Sequence, residues 1–325
     1  MNINLSKIRE SSFLITGGAG FIGSHIAEFL VKNSARRVVV FDNLSTGFES
    51  NISHLNEFSN FEFFKGDITN VNDCLSACEG IDFVSHQAAL GSVPRSIENP
   101  LATHEANATG FLNILMACKE KKVKRIVYAS SSSVYGDISD SPKTEDRIGK
   151  PLSPYAVSKL VNEQYASIFS STYSMQIIGL RYFNVFGPRQ NPQGAYAAAI
   201  PLFIHSILKN EKVFINGNGE QSRDFTYVDN AVQANISSLL LPFTDSLNSV
   251  FNIACGKSIS VNEMYSKISI LLKSNNLAHY REQRLGDVMH SKADITKSQK
   301  YLNYQPSIDF EKGIQITVDW FKNLY

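Results

Sequence analysis

Along the first half of the chain, short runs of apolar and often β-branched residues alternate with longer stretches in which apolar positions recur every three or four residues. Phe13, Leu14, Ile15 and Thr16 read as a first strand. Residues 23–32 then read as a helix, with Ile26, Phe29 and Leu30 on one side. Residues 37–41 form the second strand pattern, and 61–65, 83–85, 126–130 and 176–181 read as further strands. Helical patterns lie between them, notably over 101–121 and 154–173. This alternation predicts a parallel sheet with both faces covered. After Arg181 the rhythm changes. Gly187-Pro188-Arg189-Gln190-Asn191-Pro192-Gln193-Gly194 is a turn-rich break. A helix follows near 200–209, a strand at 212–215, and then the turn Asn216-Gly217-Asn218-Gly219. The remainder mixes short strands and helices and ends in an amphipathic helix carrying Ile314, Val318 and Phe321. The pattern divides the chain into a lobe over 1–180 and a smaller α/β lobe over 181–325, with segments free to cross between them.

Composition narrows the function classes. The chain has 325 residues, 43% hydrophobic and 19% charged, an ordinary globular balance with ample material for a core. Its net charge of +1 gives no general attraction for nucleic acid or an anionic membrane. The longest apolar runs, such as Val38-Val39-Val40-Phe41, fall far short of the roughly 18 residues of a spanning helix. Met1 to Ser12 alternates polar and apolar residues without an apolar signal core, so the cytoplasm is the expected compartment. Cys74 and Cys78 are four apart on a helical pattern, but no second pair or nearby histidine completes a metal site. Reduced, half-buried cysteines and no metal are therefore expected. Asn-x-Ser/Thr triplets at Asn51, Asn107 and Asn235 read as chance matches without a secretory signal.

Gly17-Gly18-Ala19-Gly20-Phe21-Ile22-Gly23 follows the first strand and opens the first helix. Glycines allow a tight turn and close backbone approach to a pyrophosphate, while the helix N-terminus offers free N–H groups. Asp42, followed by Asn43, ends the second strand 19 residues beyond Gly23. A carboxylate there accepts hydrogen bonds from a ribose diol and repels a 2′-phosphate, which predicts NAD rather than NADP. The expected fold class is thus α/β, a Rossmann-type doubly wound parallel sheet with a smaller C-terminal α/β substrate-binding lobe. Asp67-Ile68 follows the third strand and Gln87-Ala88-Ala89 the fourth, and Asn107 sits on the next helix. Their order along the chain fits a dinucleotide groove.

Ser153-Pro154 is a good N-cap and first-turn pair, so a helix should start there. Tyr155 and Lys159, four apart, then share one helix face. A phenol with an ordinary pKa of about 10 is a poor base near neutrality, and a neighbouring ammonium would lower it. Just upstream, Ser130-Ser131-Ser132-Ser133 closes a strand and could present a hydroxyl to the reacting oxygen.

Together these features resemble the extended short-chain dehydrogenase/reductases, and within them the UDP-sugar 4-epimerases, over essentially the whole chain from Thr16-Gly17 to about Pro306. The segments Gln87-Ala88-Ala89-Leu90-Gly91-Ser92-Val93-Pro94-Arg95-Ser96 and Arg181-Tyr182-Phe183-Asn184-Val185-Phe186-Gly187 are most similar to bacterial UDP-N-acetylhexosamine 4-epimerases. The resemblance implies Tyr155 as base, Lys159 on the nicotinamide ribose and Ser131 as its assistant, with Ser132 and Ser133 near the sugar. It places Tyr182 and Val185 beside the cofactor, which stays tightly bound and is regenerated each turnover. Asn184, Arg223 and Arg284 would grip the diphosphate, as guanidinium forks suit phosphate oxygens. Asp287 would bind the uridine ribose, and Val213 and Phe214 would flank the uracil. Ser291, where relatives restricted to plain sugars often carry tyrosine, would leave space for an N-acetyl group. Gly91, Ser92 and Ala198 would line the same pocket.

The expected reaction is interconversion of UDP-N-acetylglucosamine and UDP-N-acetylgalactosamine through a 4-keto sugar. Related 4,6-dehydratases need an Asp-Glu pair where this chain has Ser132-Ser133, and the decarboxylases usually carry a glutamate there. Both reactions are therefore disfavoured. The alternatives are 4-epimerisation of a UDP-hexuronic acid or of UDP-glucose, and a non-catalytic NAD-binding sensor, which typically lacks the tyrosine or lysine. The helices over 101–121 and 154–173 suggest a homodimer through a four-helix bundle, as the family implies.

Overall fold

The computed structural model describes residues 4–193, 197–244, 247–282 and 288–325. After the short helix α1 (Leu5–Arg9), the chain lays down β1 (Ser12–Thr16), α2 (Phe21–Lys32), β2 (Arg37–Asp42), β3 (Phe61–Lys65), α3 (Val71–Ala77) and β4 (Phe83–His86). Helices α4 (Val93–Glu98), α5 (Pro100–His104) and α6 (Gly110–Glu120) come next. A π-helical turn over Glu105–Thr109 joins the last two, so the single helix expected over 101–121 is interrupted in its middle. Then follow β5 (Arg125–Ser131), α7 (Pro154–Tyr173) and β6 (Ile177–Tyr182). Ser153 caps α7 by accepting from Ala156 N at 3.2 Å, and Pro154 takes the first turn, as the sequence predicts.

The second half of the chain contributes β7 (Val185–Phe186), α8 (Ala199–Leu208), β8 (Val213–Asn216), β9 (Ser222–Arg223), β10 (Thr226–Tyr227), α9 (Val228–Leu240) and β11 (Val250–Ile253). It ends with β12 (Ile259–Ser260), α10 (Val261–Leu271), β13 (Ala278–Arg281), β14 (His290–Ser291), α11 (Thr296–Leu302) and α12 (Phe310–Lys322).

Seven strands form one parallel sheet in the order β3-β2-β1-β4-β5-β6-β11. β1, β4 and β5 are buried at every position, as strands of a parallel sheet covered on both faces are. One face packs Phe13, Ile15, Val38 and Val40 against Ile26 and Leu30 of α2 and Ala231 and Leu239 of α9. The other packs Leu14, Val39 and Val84 against Phe111, Ile114 and Phe169 of α6 and α7. A third core, including Phe203, Ile204, Ile215, Met264, Ile314 and Phe321, belongs to the second half. Strand order reverses between β1 and β4, and a crevice opens there at the carboxyl ends of the strands.

The two halves interlock. β11 adds to the sheet edge with Val250 opposite Gly179 and Ile253 opposite Tyr182. α9 lies on the same sheet against α2. Asn107 and Asn235, both in glycosylation-like triplets, are fully buried. Cys74, Cys78 and Cys118 are buried free thiols. Among the described residues no helix is long and apolar enough to cross a membrane.

Arg125, at the start of β5, is fully buried. It donates to the carbonyls of Ser238 (2.9 Å), Leu241 (2.7 Å) and Pro242 (3.0 Å), closing the C-terminal end of α9. A cation there meets both the unsatisfied carbonyls and the negative end of the helix dipole. Replacing Arg125 with Met leaves those carbonyls buried without a donor. The variant should lose about 3 kcal/mol of stability, read as a lowered urea midpoint with an unchanged slope.

Candidate active site

The crevice is built from strand ends. Gly17 N donates to Phe41 O at 2.8 Å, which folds the loop after β1 back across β2. Gly17 has φ +65°, and a Cβ on it would sit 2.6 Å from the backbone of Ala88. One on Gly23 would sit 2.3 Å from Gly17 O, so neither position tolerates a side chain. α2 begins at Phe21, two residues before the expected start at Gly23, with Gly20 at its N-cap and no side-chain cap. The N–H groups of its first turn are thus left for an anion.

Asp42 is buried at the end of β2, with its oxygens accepting from Ala19 N (3.0 Å) and Leu44 N (2.8 Å). Burial raises its carboxyl above the ordinary value despite those two bonds. Asn43 donates to Asp67 at 2.8 Å, and Thr69 donates twice more to Asp67. Burial opposes ionisation of Asp67, but these bonds together hold its carboxyl below the ordinary value.

A cavity of about 930 Å³ runs from this loop to Tyr155 and Lys159. Its wall includes Gly17, Gly20, Phe21, Ile22, Gly23, Asp42, Asn43, Asp67, Ile68, Gln87, Ala88, Ala89, Tyr182 and Val185. Among the described residues lining it, Arg95 and Lys159 are the only basic ones, and neither is at the β2 end. The uncapped helix, the buried Asp42 and the lack of a cation beside it fit NAD and leave a 2′-phosphate unpaired.

At the other end, α7 carries Tyr155 and Lys159 into the cavity. Lys159 is buried and donates to Ala129 O at 2.8 Å. Its nitrogen is 5.9 Å from the centre of the Tyr155 ring. Ser131 hydrogen-bonds Tyr155, and its hydroxyl is 3.1 Å from that of Ser133. Ser132 and Ser133 line the cavity as expected. Ser130 donates instead to Glu163 (2.5 Å), which Arg181 grips with two nitrogens at 2.9 and 2.8 Å.

The proton energetics differ from the expectation that the ammonium would pull the phenol down. Burial of Tyr155 raises its phenol, and the Ser131 hydrogen bond only partly offsets this. Burial lowers Lys159 to about 8, against a smaller raising effect from Glu163. Desolvation penalises both charged forms.

A second cavity of about 260 Å³ opens off the first and shares Asn184, Val185, Gln190, Ala197 and Ala198 with it. It is lined further by Phe214, Arg223, Phe225 and Arg281. Gly91, Ser92 and Ala198 all line the first cavity. Asn184 sits at φ +36°, and its amide donates to Asp224 O at 3.0 Å.

Three expected site residues lie elsewhere. Val213 alternates with Phe214 along β8, so it faces the core while Phe214 faces the cavity. Asn107, in the π-helical turn, lies behind the cavity wall and braces it, accepting from Leu90 N (2.7 Å) and donating to Ser158 Oγ (3.0 Å). Ser291 is opposite Arg223 in a parallel strand pair and lines neither cavity. Arg284 and Asp287 lie outside the described residues. The sequence reading missed Gln190, Arg281 and the cavity-facing side of Arg95. Arg281 donates to Asn216 (2.6 Å) and stands 5.4 Å over the Phe214 ring. The run Pro188-Arg189-Gln190-Asn191 reads as a turn, and only the fold brings it between the cavities.

Residues 13–254 match the NAD dependent epimerase/dehydratase family. Three solved structures are similar over nearly the full length. The UDP-N-acetylglucosamine 4-epimerase of Methanobrevibacter ruminantium, in complex with UDP-N-acetylmuramic acid, is 39% identical, covering 98% of this chain and 100% of its own, with a TM-score of 0.92. The UDP-glucose 4-epimerase of Thermotoga maritima, with UDP-glucose, is 33% identical over 96% and 99% of the two chains, with a TM-score of 0.90. The UDP-glucuronic acid 4-epimerase of Bacillus cereus, in complex with UDP-glucuronic acid and NAD, is 32% identical over 97% and 100%, with a TM-score of 0.89.

Replacing Tyr155 with Phe removes its phenol hydroxyl from the cavity wall. Turnover should fall by about 10²–10⁴-fold while bound NAD, read from the ratio of absorbance at 260 and 280 nm, stays at the wild-type level. A variant with near wild-type turnover would exclude Tyr155 as the base.

Proposed function

The chain belongs to the NAD-dependent epimerase/dehydratase family as a UDP-sugar 4-epimerase, and on that premise we propose that it inverts C4 of a UDP-N-acetylhexosamine, interconverting the gluco and galacto forms. One observation carries the choice of sugar. The wall of the first cavity contains Gly91, Ala197 and Ala198, and no atom lies within 4 Å of where a Cβ on Gly91 would be. An acetamido group needs such room and brings no charge to neutralise.

In this reading the residues of the first cavity would hold NAD, which when bound would accept and return the C4 hydride. Tyr155 takes the C4 hydroxyl proton, with Ser131 hydrogen-bonded beside it, and returns it after inversion. Lys159 holds the cofactor ribose with the donors it does not spend on Ala129 O. Asn184 and Arg223 hold the diphosphate in the second cavity, with Phe214 flanking the nucleobase. A sugar tethered there can turn about its link to the diphosphate and present its other face without leaving the cleft. A sensor role has little support, because both Tyr155 and Lys159 face the cavity.

One observation favours a second sugar class. Arg95 and the hydroxyls of Ser92, Ser131, Ser132 and Ser133 line the same cavity, and a C6 carboxylate could be held by such donors. Proton NMR separates the two. The purified protein, incubated with UDP-N-acetylglucosamine and no added NAD, should build up the galacto H4 signal. Turnover of UDP-glucuronic acid alone would assign the carboxylate reading, and turnover of UDP-glucose alone would refute the acetamido one.

We also propose a homodimer. Ile97 of α4, Leu101 of α5, Met116 of α6 and Ile168 of α7 are 58%, 82%, 44% and 58% exposed, an apolar surface on neighbouring helices. Two copies facing each other through these helices would bury it. Ile168→Glu should convert the dimer to a monomer in sedimentation velocity, and an unchanged sedimentation coefficient would exclude α7 from the interface.

A further inference from the structure

Asp224 is a fully buried carboxylate. Buried charges are costly, and the described hydrogen bonds to this one come from backbone N–H groups. One oxygen accepts from Cys255 N at 2.9 Å, and the other from Ala293 N at 3.2 Å. Gly256 N is a further donor to it. Cys255 and Gly256 follow β11, the edge strand of the main sheet, while Ala293 follows β14.

The backbone of Asp224 is committed as well. Its N–H donates to Ser291 O at 2.8 Å, and its carbonyl accepts from the Asn184 amide at 3.0 Å. Its chain neighbours, Arg223 and Phe225, both line the second cavity. One residue therefore ties together the loop after β6, the loop after β11, and β14, beside Arg223 and Asn184, which both line the second cavity. An asparagine could accept from only one of the two sides. Its NH₂ would face an N–H on the other.

We infer that Asp224 is a positioning residue for nucleotide-sugar binding, its carboxylate fixing Arg223 and Asn184 in register with the main sheet. The inference rests on the reading of Arg223 and Asn184 as diphosphate ligands. It concerns affinity rather than the chemical step, because Asp224 lines neither cavity.

A pH dependence goes with it. Burial raises the Asp224 carboxyl to about 6, with Lys292 the facing cation and Cys255 and Tyr304 the facing titratable groups. Burial keeps the Cys255 thiol and the Tyr304 phenol protonated throughout the acid and neutral range. As pH falls through about 6, Asp224 gains a proton and one acceptor oxygen becomes a donor facing backbone N–H groups. The clamp is lost on the acid side.

The test is a kinetic cycle on whichever UDP-sugar the wild type epimerises, using Asp224→Asn, Arg223→Leu and the double variant. Asp224→Asn should raise KM by about 10–30-fold and change kcat by less than about threefold. The double variant should add little to Arg223→Leu, because both act through one contact. The wild-type KM should rise as pH falls from 7 to 5, and in Asp224→Asn it should be flat. Additive effects, an unchanged KM in Asp224→Asn, or a flat wild-type profile would each overturn the inference. Should Asp224→Asn fail to fold, the wild-type profile decides alone. Arg223→Leu with a wild-type KM would instead sink the diphosphate reading on which the inference rests.

Discussion

Lys159 and Tyr155 share a desolvated corner, with Glu163 one turn further along α7. Burial lowers the one and raises the other, so both shifts favour the uncharged pair. Glu163, on α7 with Lys159, is engaged by Ser130 and doubly by Arg181, and it offsets only part of the effect of burial on the ammonium. The alternation of side chains along a strand makes this possible. Ser130 serves the structural ion pair, and Ser131 serves the phenol.

The position of the sugar relative to that corner depends on how the two halves of the chain are joined, and the join is polar. Arg125 of the first half closes α9 of the second. Asn235 on α9 donates to the Tyr182 hydroxyl (2.6 Å) and accepts from Ser85 (3.1 Å) and Gln87 (3.0 Å). Apolar packing would tolerate sliding of α9 over the sheet, whereas buried hydrogen bonds have one satisfactory register. Tyr182 and Gln87 are themselves in the cavity wall, so the bonds that dock α9 also shape the cofactor groove.

Much of this was legible in the sequence because local chemistry and tertiary role agree. Ser153-Pro154 marks a helix start that needs no partner, and α7 spans the residues its pattern implies. The glycine loop and Asp42 are set by one strand–turn–helix unit and could be placed together. The start of α2 was less visible because its N-cap is Gly20, which offers no side-chain signal. The π-helical turn at Glu105–Thr109 has no composition signal of its own, since the chain stays helical through it. β11 is a four-residue strand that pairs with β6 across some seventy intervening residues, and spacing alone cannot assign such a partner. The pairing of Arg223 with Ser291 joins two-residue strands, too short to carry any pattern.

The choice of substrate rests on the residues that line the first cavity. A C6 carboxylate in a partly enclosed cleft has to be met by fixed positive charge or by several donors, at a desolvation cost to both sides. The cavity offers Arg95 and a row of serines for that purpose, but Lys159, its other described cation, is already bonded to Ala129 O. An acetamido group asks for volume and a few neutral hydrogen bonds. Gly91, Ala197 and Ala198 provide the volume without burying any polar group, and the serine hydroxyls can serve the sugar's own hydroxyls. The same wall therefore satisfies the neutral sugar with fewer compensations, and this asymmetry, rather than any single residue, supports the acetylated substrate.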